Sequence, residues 1–391
     1  MKFVYTDGED ICLYDDGKIT KQEGGFFRSY RSNLESIRRS KEWKQSGDGA
    51  KFRGDDERFE DEEAQGVLSG VCMAGGEKVA YSFTAGDTSG VYTKDFSVKK
   101  DNEAHVVNSA ESVFSGIFCD SKNGVLACSV QNGSHNADIA LINLDGYDYK
   151  SVTCGDTMDE YPFISPDDCN KIYFSSRGVA RSGDGEFCGY SPSYICMLDL
   201  DKMEVTSVKE DKNFSYFRPV YYNGEVYSIK APAKQKRGNP VIEILLIPFR
   251  LLQALVNFIH FFIIAFTGKS VVSGGTGGDN PAKKRKQDGR KIFIDGNLVN
   301  VDKEYKRNSR KKDKDFGFIP LSWKLINGAD EVLFSGAADY DIDGGGNIIV
   351  TNGKHIFALN GGKKQKLCDC GYCVNVACLH TSDTKTAVFD F

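Results

Sequence analysis

What most constrains this chain is a recurrence of short strand signals. Runs rich in Val, Ile, Tyr and Phe alternate with polar residues and end in Asp-Gly, Asn-Gly or Gly-Gly turns. Lys2 to Tyr5, Glu77 to Phe83, Asp138 to Ile142 and Asn347 to Val350 are examples. The runs themselves repeat. Strands open near Ser69, Ser115, Ile164 and Pro219, a period of roughly 45 to 55 residues. One such unit makes a four-stranded sheet that cannot cover both of its faces, so several must stack around an axis. The spacing predicts an all-β chain, a β-propeller of about six four-stranded blades spanning 1–391. Its 41 glycines against 9 prolines suit that many tight turns. The segment from Cys373 to Phe391 is expected to complete a blade begun at the N-terminus, which removes the exposed sheet edges.

The clearest copy runs from Asp159 to Ser176. Pro162 and the Ser165-Pro166 pair frame an inner strand and its turn, Ile172 to Ser175 form the next strand, and Tyr194 to Leu200 a third. This stretch resembles the TolB-type (WD-like) propeller repeat P-x-[IW]-S-P-D-G-x-x-[IL]-x-[FY]-x-S, with Asp168 where the pattern has Gly. The resemblance covers about one blade plus the period, and it implies a propeller fold with protein contacts at its rim.

Two segments interrupt the β pattern. Residues 24–66 form a charged insertion, with eight Lys/Arg against three acids over 28–53 and seven acids against one Arg over 55–63. Leu34, Ile37 and Trp43 suit a short helix there and the remainder a solvated loop. The second insertion, 231–290, contains VIEILLIPFRLLQALVNFIHFFIIAF at 241–266. Glu243, Arg250, Gln253, Asn257 and His260 fall on one narrow stripe of an α-helix. Leu245, Leu246, Phe249, Leu252, Leu255, Phe258, Ile259, Phe261 and Phe262 belong to the apolar remainder. Glu225 to Ile229 and Lys291 to Ile294 both suit propeller strands of one blade. An in-plane amphipathic helix, or a hairpin bent at Pro248, therefore fits better than a single span; a groove on a soluble partner is the other reading.

The segment 283–314 holds thirteen Lys/Arg against five acids, beginning with Lys283, Lys284, Arg285 and Lys286. Beside an amphipathic helix that charge suits anionic lipid. Nucleic acid is not expected, for no aromatic interleaving or nucleic-acid module accompanies the run. The N-terminus lacks the pattern of a secretory signal, and 12 cysteines without export are expected to be free thiols, which points to the cytoplasm.

Two constellations could hold a metal. Asp339, Asp341 and Asp343, followed by Gly344, match the opening of a calcium loop, but Val350 stands where the closing Glu belongs. The alternative is a polar-faced strand entering a glycine turn. Cys368, Cys370, Cys373 and Cys378 supply four soft ligands at a spacing that matches no standard zinc module. Cysteine as a small apolar filler is the competing account. No cofactor is expected, and no G-x-S-x-G, H-E-x-x-H or P-loop signature occurs.

The expected function is a non-catalytic scaffold that binds an unidentified protein partner at the cytoplasmic face of a membrane. The alternative is a propeller enzyme or a small-molecule or glycan binder. Carboxylates and a histidine converging on the axis would favour that alternative. The membrane expectation has a direct test: the full chain should float with liposomes containing anionic lipid. Deleting 238–290 should release a folded, soluble propeller. Flotation unaffected by the deletion would remove the insertion as the anchor.

Overall fold

The computed structural model describes residues 1–42, 66–86, 88–98, 102–133, 135–146, 148–233, 291–311 and 314–380. The apolar segment 241–266, with all the residues expected to contact a membrane, and Lys283, Lys284, Arg285 and Lys286 lie outside them. Among the described residues no helix is long and apolar enough to cross a membrane.

Six antiparallel sheets stand in a ring, each entered from the axis outward. The chain starts with β1 (Lys2–Asp7), β2 (Asp10–Asp15) and β3 (Lys18–Glu23). The second blade is β4 (Gly66–Met73), β5 (Lys78–Ala85), β6 (Thr88–Asp95) and β7 (Ala104–Ser109). The third is β8 (Val113–Asp120), β9 (Val125–Gln131), β10 (Asp138–Asn143) and β11 (Tyr149–Ser151). In the fourth, β12 (Thr157–Ile164), β13 (Lys171–Arg181), β15 (Tyr194–Asp199) and β16 (Glu204–Lys209) follow in order, with β14 (Phe187–Tyr190) paired to the end of β13. The fifth comprises β17 (Phe214–Tyr222), β18 (Glu225–Pro232), β21 (Lys324–Ile326) and β22 (Val332–Ser335). The sixth comprises β23 (Asp339–Ile342), β24 (Ile348–Thr351), β25 (His355–Asn360) and β26 (Lys363–Asp369). A last strand, β27 (Val376–Cys378), pairs with β1 and supplies the inner strand of the first blade. The chain is a six-bladed β-propeller.

Local chemistry explains the hairpins. Asp16-Gly17, Asn223-Gly224 and Asp295-Gly296 each have both central residues at positive φ in two-residue loops. That is the turn whose twist matches the flanking strands. The inner faces interlock through Phe, Ile and Val. Phe114, Phe174, Phe217 and Phe357 are among the largest fully buried side chains.

Two expectations are corrected here. The helix expected around Leu34 and Ile37 is not short: α1 (Gly25–Glu42) has 18 residues and takes up the N-terminal part of the segment expected as a loop. The Glu103 carboxylate caps it, accepting from the Gly25 and Phe26 amides at 2.6 and 2.7 Å. Phe27 is buried against Phe83. Lys291–Ile294 is not a strand of the fifth blade either. As β19 it pairs only with β20 (Asn297–Asn300), forming a separate hairpin that leads into helix α2 (Val301–Asn308). The third strand of that blade is β21, which pairs with β18. Local sequence could not distinguish the two candidates, since both are short apolar runs.

This hairpin covers one end of the propeller axis. Its turn residue Asp295 is buried, and Gly296 packs so closely on Arg177 that a Cβ there would lie 1.3 Å from Nη1. Gly296 also has φ +74°. Gly296→Ala should therefore lower the unfolding free energy by about 1–3 kcal/mol. Urea denaturation would show it, and an unchanged midpoint would mean that the hairpin does not seat on Arg177.

Candidate functional site

The inner strands bend where they reach the axis. Pairing of β8 with β9 shifts between Ser115 and Phe118, of β12 with β13 between Glu160 and Phe163, and of β17 with β18 between Phe217 and Val220. Each bulge holds one residue at φ near +55°: Gly116, Tyr161 and Arg218. Such bulges re-aim a side chain. For Tyr161 and Arg218 the left-handed backbone costs on the order of 1 kcal/mol each and must be held by the surroundings. Gly116 has no Cβ, which would stand 3.1 Å from the Tyr161 amide.

Arg218 is the hub. Its Nε donates to Asp295 Oδ2 at 3.1 Å, and Nη1 donates to Val374 O at 2.9 Å and lies 2.7 Å from Asp339 Oδ1. Nη2 donates to Tyr161 Oη at 3.1 Å, and the guanidinium stands 4.2 Å from the centroid of that ring. Its own carbonyl accepts from Tyr340 Oη at 2.8 Å. Burial opposes the charge, but Asp295 and Asp339 restore it, so the guanidinium stays fully protonated. On the hairpin side Arg177 Nη2 donates to Glu160 Oε2 at 2.6 Å and stacks on Tyr190.

The carboxyls respond to the same burial. That of Glu160 is pushed up to about 7, chiefly by desolvation, with Arg177 opposing and Asp295 adding to the rise. Asp339 is pushed up to about 6 by desolvation against the pull of Arg218. Asp295 is raised for the same first cause.

Of these groups Tyr161, Arg218 and Asp339 border a cavity of about 70 Å³, enough for a few water molecules. It is lined by the inner strands of all six blades. Beyond it, where the inner strands end, a mouth of about 370 Å³ opens. Asp167, Tyr221, Tyr222, Asn223, Asp343 and His380 line it, and among the described residues no lysine or arginine does. Tyr221 stacks on Tyr173 with centroids 5.2 Å apart, and its hydroxyl is bonded to Asp167. His380 belongs to both spaces. Its Nε2 lies 2.8 and 2.9 Å from the two oxygens of Asp341, and its ring packs on Phe118 and Phe163. A proton on Nε2, shared with that carboxylate, leaves Nδ1 as the acceptor nitrogen.

The sequence-predicted metal ligands have other work. Asp339 accepts from the Val376 amide at 2.8 Å and Asp341 from the Cys378 amide at 2.7 Å, tying the sixth blade to β27. Asp343 caps its own turn through Gly345 and Asn347. These bonds are those of the polar-faced strand entering a glycine turn, the alternative to a calcium loop.

All twelve cysteines are unpaired. Cys370 and Cys373 are buried beside Tyr5 and Cys12, with half-buried Cys368 packed against them, while Cys378 lies on β27. The Cys368 thiol is held below its usual range by a hydrogen bond with Cys370, whose own thiol is pushed up by contact with Cys368 and Cys373. Among the described residues no group of three or more His, Cys, Asp or Glu is arranged to hold a metal ion.

No family model matches the chain, and no curated protein sequence does. Among solved structures it is similar to a puromycin-hydrolysing peptidase of Mycobacterium tuberculosis, with 9% identity and a TM-score of 0.44 over 94% of this chain and 52% of the other. A puromycin hydrolase matches at 7% identity and a TM-score of 0.33, over 42% of this chain and 25% of the other. The GH74 enzyme of Niastella koreensis gives 12% and 0.32, over 44% and 27%. The chain thus spans about half the length of the first and about a quarter of the others. The non-catalytic scaffold reading is corrected in favour of its alternative, because the axis carries Asp339, Asp341 and His380 together, the converging carboxylates and histidine which that alternative requires.

Sequence reasoning missed Arg218, Tyr161, Glu160, Arg177 and Asp295. One signal was present: Tyr161-Pro162 and Arg218-Pro219 occupy the same place in successive repeats.

The raised carboxyls set a pH dependence. Glu160 and Asp339 rise from 4.5 and 3.8 to about 7 and about 6, so the folded chain keeps protons that the unfolded one releases. Stability should therefore fall as pH rises through that window. Asp156, Asp199 and Asp369 are lowered by their hydrogen bonds and act oppositely. Their gain is complete by about pH 5. Urea unfolding at pH 7.5 should give a stability lower than at pH 5.5 by on the order of 1 kcal/mol. Glu160→Gln should reduce the slope, and a stability that climbs across this range would contradict the assignment.

Proposed function

We propose that the protein is a small-molecule-binding propeller whose ligand enters the mouth and meets His380 at its floor. The observation that carries this reading is the position of His380, shared by a ligand-sized polar mouth and the narrow axial space that holds Arg218 and Asp339. A volume of about 370 Å³ lies within the range of sites for small molecules. The axial space beyond is too small for a ligand, and the Arg218–Asp339 pair in its wall supports the site from behind.

Chemistry narrows the ligand. Asp167 and Asp343 with two tyrosines, and no lining cation among the described residues, favour a neutral polyol or an amine over an anion. His380 oriented by a buried carboxylate has the arrangement of a general base, so proton transfer is the step available at the floor. The TolB-type kinship of the repeat is also part of this proposal, resting on the 159–176 blade. Attachment to anionic lipid is a separate proposal that rests on the sequence of 241–266 and 283–286.

The test is thermal-shift and calorimetric screening of neutral glycosides and primary amines against the full chain. A compound bound in the mouth should lose about tenfold or more in affinity in Tyr221→Ala. In His380→Ala its chemical conversion, where one occurs, should fall roughly 100-fold. Binding that ignores both substitutions would place the ligand elsewhere and remove the mouth as the site.

A further inference from the structure

The crossing from the sixth blade to the closing strand carries a second kind of chemistry, outside the axial site and beyond the function proposed for it. Cys368 is the penultimate residue of β26, Cys370 follows the last one, Asp369, and Gly371-Tyr372 bends the chain back to Cys373. Cys370 and Cys373 lie in one buried cluster, and Cys368 packs against it. Burial grades the three: Cys368 is half-buried at the edge of the exposed strand β26, whereas Cys370 and Cys373 lie inside.

The surrounding backbone holds this bend rigidly. Cys370 N donates to Lys354 O at 2.7 Å and Cys373 N to Gly353 O at 2.9 Å. Gly371 N and Tyr372 N donate to Asp7 Oδ1 at 2.8 and 2.9 Å, and Gly8 N returns to Tyr372 O. The bend is thus pinned to the sixth blade on one side and to the β1–β2 turn on the other. Thiols used only as apolar filler, such as Cys128 in β9, lie within a strand and have no such graded row.

We propose that Cys368, Cys370 and Cys373 form a dithiol site that undergoes thiol–disulfide exchange with small external disulfides. Cys368 is the attacking group because it alone of the three reaches solvent. Its thiolate sulfur attacks one sulfur of the external disulfide. A mixed disulfide forms at Cys368, and the first thiolate leaves and takes up the proton that Cys368 gave up. Cys370 then loses its proton and attacks the Cys368 sulfur. The Cys368–Cys370 bond forms and the second thiolate departs with that proton. The external disulfide gains two electrons and two protons, and the chain loses them. Cys373 can take the bond from Cys368 by the same step, because it lies in the same buried cluster as Cys370. Every route passes through Cys370.

The bend leads directly into the segment that lines the axis. Val374 O receives Arg218, and the Val376 and Cys378 amides hold Asp339 and Asp341. A disulfide at Cys370 therefore sits at the base of the strand that carries His380.

The experiment uses the full, reduced chain with Cys154→Ser and Cys188→Ser, which removes the two exposed thiols. The protein is mixed with glutathione disulfide, alkylated while folded, and mapped by tryptic mass spectrometry. The peptide running from Leu367 should be lighter by two hydrogens, with Cys370 in the bond and both halves of the glutathione disulfide released as thiol. In Cys370→Ser the glutathione adduct at Cys368 should persist and no internal bond should form, with circular dichroism confirming the fold. The proposal is overturned if the wild-type cysteines at these positions alkylate as though untouched, or if glutathione stays on Cys368 with Cys370 free.

Discussion

A buried arginine organises this molecule. Taking one guanidinium out of water costs several kcal/mol unless each donor finds a partner. Arg218 meets that demand with groups from four places: Tyr161 of the fourth blade, Asp339 of the sixth, Val374 before the closing strand, and Asp295 of the inserted hairpin. None is near it in sequence. The ring must therefore close, and the hairpin must dock, for this charge to be satisfied. The strained backbone at Arg218 and Tyr161 is tolerated because the network over-determines it.

That network divides the axis into two unlike ends. On the hairpin side Asp295, Arg177, Glu160 and the closely fitted Gly296 fill the space. At the other end the inner strands finish in polar turns and leave an open mouth. Asp341 spans the division. It accepts from the Cys378 amide as a structural group and holds the His380 ring as a chemical one. One carboxylate thus both ties the ring closure and orients the histidine, so a strand resembling a calcium loop binds protein donors instead.

The closing segment from Cys370 to His380 concentrates several duties in a short stretch. It bends between two blades, hydrogen-bonds to β1, holds two axial aspartates and ends on the histidine. A chemical change at its start is therefore near both the ring closure and the site.

How much of this could be read beforehand follows from the range of the interactions involved. The six-bladed all-β architecture was legible because blades repeat and hairpin turns depend on adjacent residues such as Asp16-Gly17 and Asn223-Gly224. The helix at Gly25–Glu42 was only partly legible, since its stability comes from the distant Glu103 cap and from Phe83. Lys291–Ile294 was correctly a strand but misplaced, because pairing partners are chosen by tertiary register. Asp339, Asp341 and the cysteine row drew attention as residue types, yet their roles depend on what faces them. The sequence by itself determined a ring of four-stranded units. Only the tertiary structure decided that Arg218 and its carboxylates meet on the axis and that His380 rests on Asp341, because those contacts join residues 39 to 156 positions apart.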